Sequence, residues 1–150
     1  MHKKRESPAG MTAGTLRGSW PESGGNNFRR NAMKFGMFTM PSHPPERGLK
    51  EGHDFDLMNF RWLDELGYEE IWIGEHHTAP WEPHPSPDLL IAQSIKETEN
   101  IRIGPGGFLL PYHHPAELAN RVAMLDHLSE GRLNFGVAAS GLPSDWNMFQ

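Results

Sequence analysis

The chain has 150 residues, of which 37% are hydrophobic, with no cysteine and a formal charge of −5; this suits one modest soluble domain. No apolar run approaches the roughly 20 residues that span a bilayer, and the missing cysteines exclude disulfides and thiolate metal sites and fit a cytoplasmic location. Six of the 14 basic residues but only two of the 19 acids precede Met33, so the remaining body is acidic and nucleic acid is not an expected partner.

Residues 1–32 are rich in Gly, Ser, Pro and Asn and have no hydrophobic periodicity. Such a segment buries too little surface to offset the entropy of ordering, and a disordered basic extension is expected there. The domain is expected from residue 33 to 150. "KFGMFTM" (34–40) is an apolar run closed by Pro41 and reads as a buried strand. "DFDLMNFRWLDELG" (54–67) places Phe55, Met58, Trp62 and Leu66 at helical spacing and stops at Gly67. "EEIWIGE" (69–75) reads as a second strand. "SPDLLIAQSIKETEN" (86–100) has Ser86 and Pro87 where a helix start prefers them. "IRIGPGGFLL" (101–110) is a third strand with a glycine break. "HPAELANRVAMLDHLSEG" (114–131) puts Leu118, Val122, Leu125 and Leu128 on one stripe, and "RLNFGVAAS" (132–140) completes a fourth strand. The order βαβαβαβ implies an α/β fold with a parallel sheet and right-handed crossovers. An open doubly wound sheet and a (β/α)₈ barrel both begin this way; a barrel takes about 250 residues.

Ligands of both architectures sit at the C-terminal ends of the strands, where His43, His76, His77, His113 and His114 fall. Histidine titrates near neutrality and suits proton transfer. A metal site built from Glu75, His76, His77 and His84 is the first rival. Its spacing is poor, because adjacent residues on an extended segment point in opposite directions. His114 precedes Pro115 and reads as the lead into a helix. "GPGG" (104–107) lacks the strand–turn–helix context of a dinucleotide fingerprint, since Phe108-Leu109-Leu110 continues the strand. The glycines read better as a close approach, either of packed backbone or of a flat ligand. "VAASG" (137–141) is equally bare, and two adjacent strand ends without bulk suggest a planar group at the rim. Asp64-Glu65 and Glu69-Glu70 read as solvated surface, and Phe60, Trp62 and Trp72 as core.

"MKFGMF", "ELGYEEIWIGEHH", "IRIGPGGFLLPYHHPAELANRVAMLDHLSEGRLNFGV" and "AASGLPSDWNMF" together resemble the bacterial luciferase-like flavin-dependent monooxygenases, the last stretch being most similar to the limonene-monooxygenase-like branch. The resemblance covers Met33 to Gln150. It implies a (β/α)₈ TIM barrel, of which this chain is the N-terminal half, binding reduced FMN or in some branches a deazaflavin. Oxygen adds to the ring to give a C4a-peroxyflavin, which passes one oxygen atom from O2 to a small hydrophobic organic substrate. A separate NAD(P)H-dependent flavin reductase supplies the flavin, and a homodimer is one of the states open to the complete protein. The resemblance places the catalytic histidine at His76, with His77 beside it, and the cofactor-binding set at Gly106, Gly107, Phe108, Ala139 and Ser140; no metal is expected. It also implies a non-prolyl cis peptide at Gly106-Gly107. Ala139 stands where luciferases proper carry a phosphate-holding arginine, which argues against a luminescent role.

The family's barrel runs through four more strands, so the chain is expected to be a fragment that alone binds flavin weakly or not at all. Two alternatives remain beside this reading. One is a metal-dependent hydrolase on the same scaffold; the other is a non-catalytic barrel remnant that pairs with another half or subunit.

Overall fold

A computed structural model describes residues 33–150; the extension expected at 1–32 lies outside the described residues. Five strands and four helices follow one another: β1 (Gly36–Thr39), α1 (Leu49–Glu65), β2 (Glu70–Ile73), α2 (Pro87–Glu97), β3 (Arg102–Pro105), β4 (Phe108–Leu109), a 3₁₀ turn at Leu110–Tyr112, α3 (Pro115–Leu128), β5 (Val137–Ala138) and α4 (Pro143–Met148). β1, β2 and β3 form a parallel sheet in that order, with Met37, Ile71 and Ile103 in register. β4 and β5 pair in parallel, and a parallel bridge joins Ile103 to Leu133.

The expected α/β order is therefore present, with the third and fourth strands interrupted. The break falls at Gly106-Gly107 and has a packing cause. A Cβ on Gly107 would lie 2.5 Å from the backbone of Gly136 and Val137, and one on Gly104 would collide with the carbonyl of Asn134. The two chains thus approach more closely than side chains permit. Two arginines hold the thin fourth strand in place. Arg102 donates to the Asn134 side chain at 2.7 Å and to the Leu133 carbonyl at 2.8 Å, while Arg132 donates to the carbonyls of Ile95 and Ile101. All described peptide bonds are trans, Gly106–Gly107 included, so the expected cis bond is not found.

The core lies between the sheet and the helices. Ile71, Ile73, Ile101 and Ile103 meet Phe60 of α1, Leu90, Ile91 and Ile95 of α2, and Leu125 of α3. Strand alternation turns Phe38 and Trp72 to the opposite, more open face. α1 corrects the sequence reading twice. It begins at Leu49 rather than Asp54, and it buries Gly52, Asp56 and Phe60, with Leu57 and Leu63 against the core. Phe55, Trp62 and Leu66 are exposed. The sequence carries two apolar stripes here. The one containing Phe60 faces the core, and at its Gly52 the His43 ring packs so closely that a Cβ would lie 2.7 Å from it. Asp64 is likewise more than solvated surface. Its carboxylate accepts from the backbone N–H groups of Glu99 (2.6 Å), Asn100 (3.0 Å) and Ile101 (2.8 Å), closing the turn into β3. Burial opposes ionisation there, but those hydrogen bonds hold its pKa below the usual carboxylate value. Among the described residues no helix is long and apolar enough to cross a membrane.

Candidate functional site

β2 extends its ladder one step beyond Ile73, with the Gly74 N–H donating to the Thr39 carbonyl at 2.8 Å. Side chains therefore keep alternating, so that Trp72, Gly74 and His76 fall on the open face and Ile73 and Glu75 on the helix side. Glu75 is buried, and a buried carboxylate must be paired or hydrogen-bonded. Three groups meet it, in four contacts. The Leu109 backbone N–H donates to Oε2 at 3.1 Å, His77 Nε2 lies 2.8 Å from Oε1, and His113 Nε2 lies 2.9 and 3.0 Å from the two oxygens. His113 continues outward through Nδ1, 2.9 Å from Arg121, whose guanidinium also donates to Asp88 at 2.7 Å. One carboxylate thus ties the ends of β2 and β4 to α3.

His76 belongs to a different arrangement. Its Nδ1 is 3.3 Å from Oδ2 of Asp145 and its Nε2 is 3.4 Å from Oε2 of Glu82. Asp145 sits on α4, an element the sequence reading did not include, and its side chain is fully buried. Its Oδ1 accepts from the Thr78 N–H at 2.8 Å, the Thr78 hydroxyl and the His77 N–H at 3.3 Å. Burial would push this carboxyl up. The hydrogen bonds from Thr78, His76 and His77 outweigh that effect and hold it below its ordinary value. The two adjacent histidines therefore answer to different carboxylates. Among the described residues no group of three or more His, Asp or Glu is arranged to hold a metal ion.

The bare strand ends flank this pair. Gly106 is exposed, and its N–H donates to the Ile73 carbonyl at 2.6 Å. A Cβ on it would meet the Phe38 ring at 2.6 Å and Trp72 Cβ at 3.2 Å, which places Gly106 beside those two aromatic side chains on the open face. Gly107 is buried against β5. Phe108 is fully buried, its ring 5.4 Å from that of His113 and 6.2 Å from that of Phe135, and has no exposed surface to offer a ligand in this structure. Ala139 lines an apolar cavity of about 360 Å³ with Pro111, Tyr112, Trp146, Phe149 and Gln150. The Tyr112 and Phe149 rings stack at 4.3 Å, and His77 meets both edge-on. Ser140 adopts a left-handed backbone (φ 70°) with its hydroxyl buried and unpartnered. Non-glycine residues in that region carry strain, which clusters at functional sites.

Sequence reasoning found the pair His76-His77 and the small residues. It weighed Glu75 only as a metal ligand, counted His113 among the strand-end histidines without a partner for it, read His114 as a helix lead, and missed Glu82, Arg121 and Asp145. The one available signal for Asp145 was its place in the motif "AASGLPSDWNMF", whose helix a six-residue apolar-poor pattern does not announce.

Residues 33–149 match the family described as "Luciferase-like monooxygenase". Among similar curated proteins are a 4-hydroxyprotoasukamycin monooxygenase of Streptomyces nodosus subsp. asukaensis, 47% identical over 75% of this chain and 30% of its own length, and limonene 1,2-monooxygenase of Rhodococcus erythropolis, 40% identical over 77% and 30%. The oxygenating constituent of 3,6-diketocamphane monooxygenase from Pseudomonas putida, a type II Baeyer-Villiger monooxygenase solved in complex with FMN, superposes with a TM-score of 0.76. The two share 34% identity, covering 79% of this chain and 32% of that one. The chain thus spans about a third of the length of the relatives it matches.

Proposed function

Because this chain belongs to the luciferase-like monooxygenase family, we propose that it contributes the first strands of a barrel that binds reduced FMN and uses O2 to oxygenate a small apolar organic molecule. The observation that carries the reading is the open face of the sheet on which Gly106 lies beside Phe38 and Trp72, with His76 just past the end of the middle strand. A flat aromatic ring fits a ledge that lacks a Cβ and is edged by aromatic side chains, and Ala139 leaves the neighbouring strand end equally open.

Reduced flavin, when bound, supplies the activation of oxygen; the protein supplies position and protons. Gly106 and Ala139 would line the ring without displacing it. His76, half-buried between a saturated buried carboxylate and the partly exposed Glu82, can pass a proton between the rim and solvent. The stack of Tyr112 on Phe149 and the exposed Trp146 give an apolar wall suited to a hydrophobic substrate. One relative is named as the oxygenase component of a flavin-dependent monooxygenase, which supports a separate flavin reductase as partner. Dimerisation belongs to the complete barrel in this reading.

The test is reconstitution of the complete barrel with photoreduced FMN and O2. His76→Ala is expected to leave flavin affinity largely unchanged and to lower oxygenation by about 10²- to 10⁴-fold, the usual contribution of a positioned acid–base group. Turnover equal to that of the parent would remove the role given to His76, and failure to bind reduced FMN would remove the function.

A further inference from the structure

The surroundings of Asp145 determine more than the position of a loop. Its Oδ1 faces two backbone N–H groups, those of Thr78 and His77, together with the Thr78 hydroxyl. Backbone amides can only donate, so this corner of the side chain must be an oxygen that accepts. The other oxygen faces Nδ1 of His76 at 3.3 Å. A carboxylate so saturated stays ionised and is acceptor-only, and the imidazole nitrogen opposite it must then carry a hydrogen. That leaves Nε2 as the nitrogen able to take up a proton. It points to Glu82 Oε2 at 3.4 Å, on the more exposed side of the ring. Once Nε2 is protonated, Glu82 is at hand to accept from it.

We infer that Asp145 is a positioning residue that fixes His76 as its Nδ1–H tautomer, so that Nε2 alone exchanges protons at the rim. The inference rests on the reading of His76 as the proton-transfer group, but it makes its own demand on the unliganded chain. Asp145→Asn is nearly isosteric, and the two backbone N–H groups still require an oxygen at the first corner. The new NH₂ group is therefore forced towards Nδ1 of His76, which can meet it only as an acceptor. The tautomer must invert.

Long-range ¹H–¹⁵N correlation spectra of the uniformly labelled chain, recorded above the titration range of the ring, read this directly. The expected result is Nδ1–H in the parent protein, Nε2–H in Asp145→Asn, and unchanged Nδ1–H in Glu82→Gln. An Nε2–H ring in the parent overturns the inference even if Asp145→Asn fails to fold. So does an Asp145→Asn protein that is folded and keeps Nδ1–H. In the complete barrel, Asp145→Asn should lower kcat by about 10²- to 10⁴-fold with little change in flavin affinity, the pattern of a base held in the wrong tautomer. Loss of oxygenation in His76→Ala but not in Asp145→Asn defeats the positioning role alone. The spectra as expected but no flavin-dependent oxygenation by the parent barrel defeats the proposed function alone.

Discussion

Two histidine clusters occupy the same end of the sheet, and their electrostatics differ. At the end of β2, Glu75 and Asp145 are each surrounded by donors, and the rings of His76, His77 and His113 are each within reach of a carboxylate. Between α1 and the loop ahead of α2, His43, His53, His84 and Asp56 line a cavity of about 260 Å³. There, burial prevails. His43 lies 2.9 Å from Asp56, yet desolvation still raises the Asp56 pKa above its ordinary value. Burial first, and then the charge of nearby His53, pushes His84 down to about 4. His84 Nδ1 and His53 Nε2 are buried without hydrogen-bond partners. Converging donors thus lower the Asp145 pKa in the first cluster, whereas in the second desolvation raises Asp56 and lowers His84.

The sharpest way to break this contrast is to remove its hub. Glu75→Ala leaves His77, His113 and the Leu109 N–H without their common acceptor, and loss of one member of a buried pair costs about 3–5 kcal/mol. Urea unfolding of the described unit should register it; a change below about 1 kcal/mol would mean that Glu75 is not what ties β2 and β4 to α3. The second cluster is probed by pH. His84 is neutral in the fold down to about pH 4, whereas the unfolded chain takes up this proton near 6.5. Its contribution is therefore complete above pH 6.5 and is lost as pH falls towards 4, by about 3 kcal/mol. Asp56, with its pKa raised, acts in the opposite direction: its contribution declines as pH rises through that value. Asp145, with its pKa lowered, adds stability that is lost only at still more acid pH. Thermal unfolding of His84→Gln should show a flatter decline between pH 6.5 and 4.5 than the parent; an identical decline would show that His84 is not buried as described. A smaller effect comes from Gly107→Ala, which crowds β5 and shifts the strand that brings the Leu109 N–H to Glu75. Overpacking of this kind costs about 1–3 kcal/mol. Gly141→Ala, where a Cβ meets nothing within 4 Å, is its control and should stay within about 0.5 kcal/mol.

The order of strands and helices was legible in the sequence because periodicity and punctuation are local properties. Pro87 and Pro115 opened helices where they were expected to, and the isoleucines of the strands faced the core. The buried face of α1 was not legible. Two apolar stripes competed in it, and the one that is buried carries Phe60, Leu57 and Leu63 against strands and a helix distant in the chain. The candidate site divides in the same way. His76, His77 and the bare glycines announce themselves by residue type and by following apolar runs. Asp145 and the tie between His113 and Glu75 do not, since an aspartate in a short helix and a histidine in a turn ahead of α3 have ordinary local explanations.

By itself, then, the sequence determined the α/β order, the strand ends where polar residues gather, and the family resemblance carried by its motifs, all of which depend on near neighbours in the chain. Only the tertiary structure decided which carboxylate each histidine meets. His76 is 69 positions from Asp145, and Glu75 is 38 from His113. Contacts over such separations are set by how strands stack and helices cross, and those geometries determine which buried carboxylates find enough donors to stay charged.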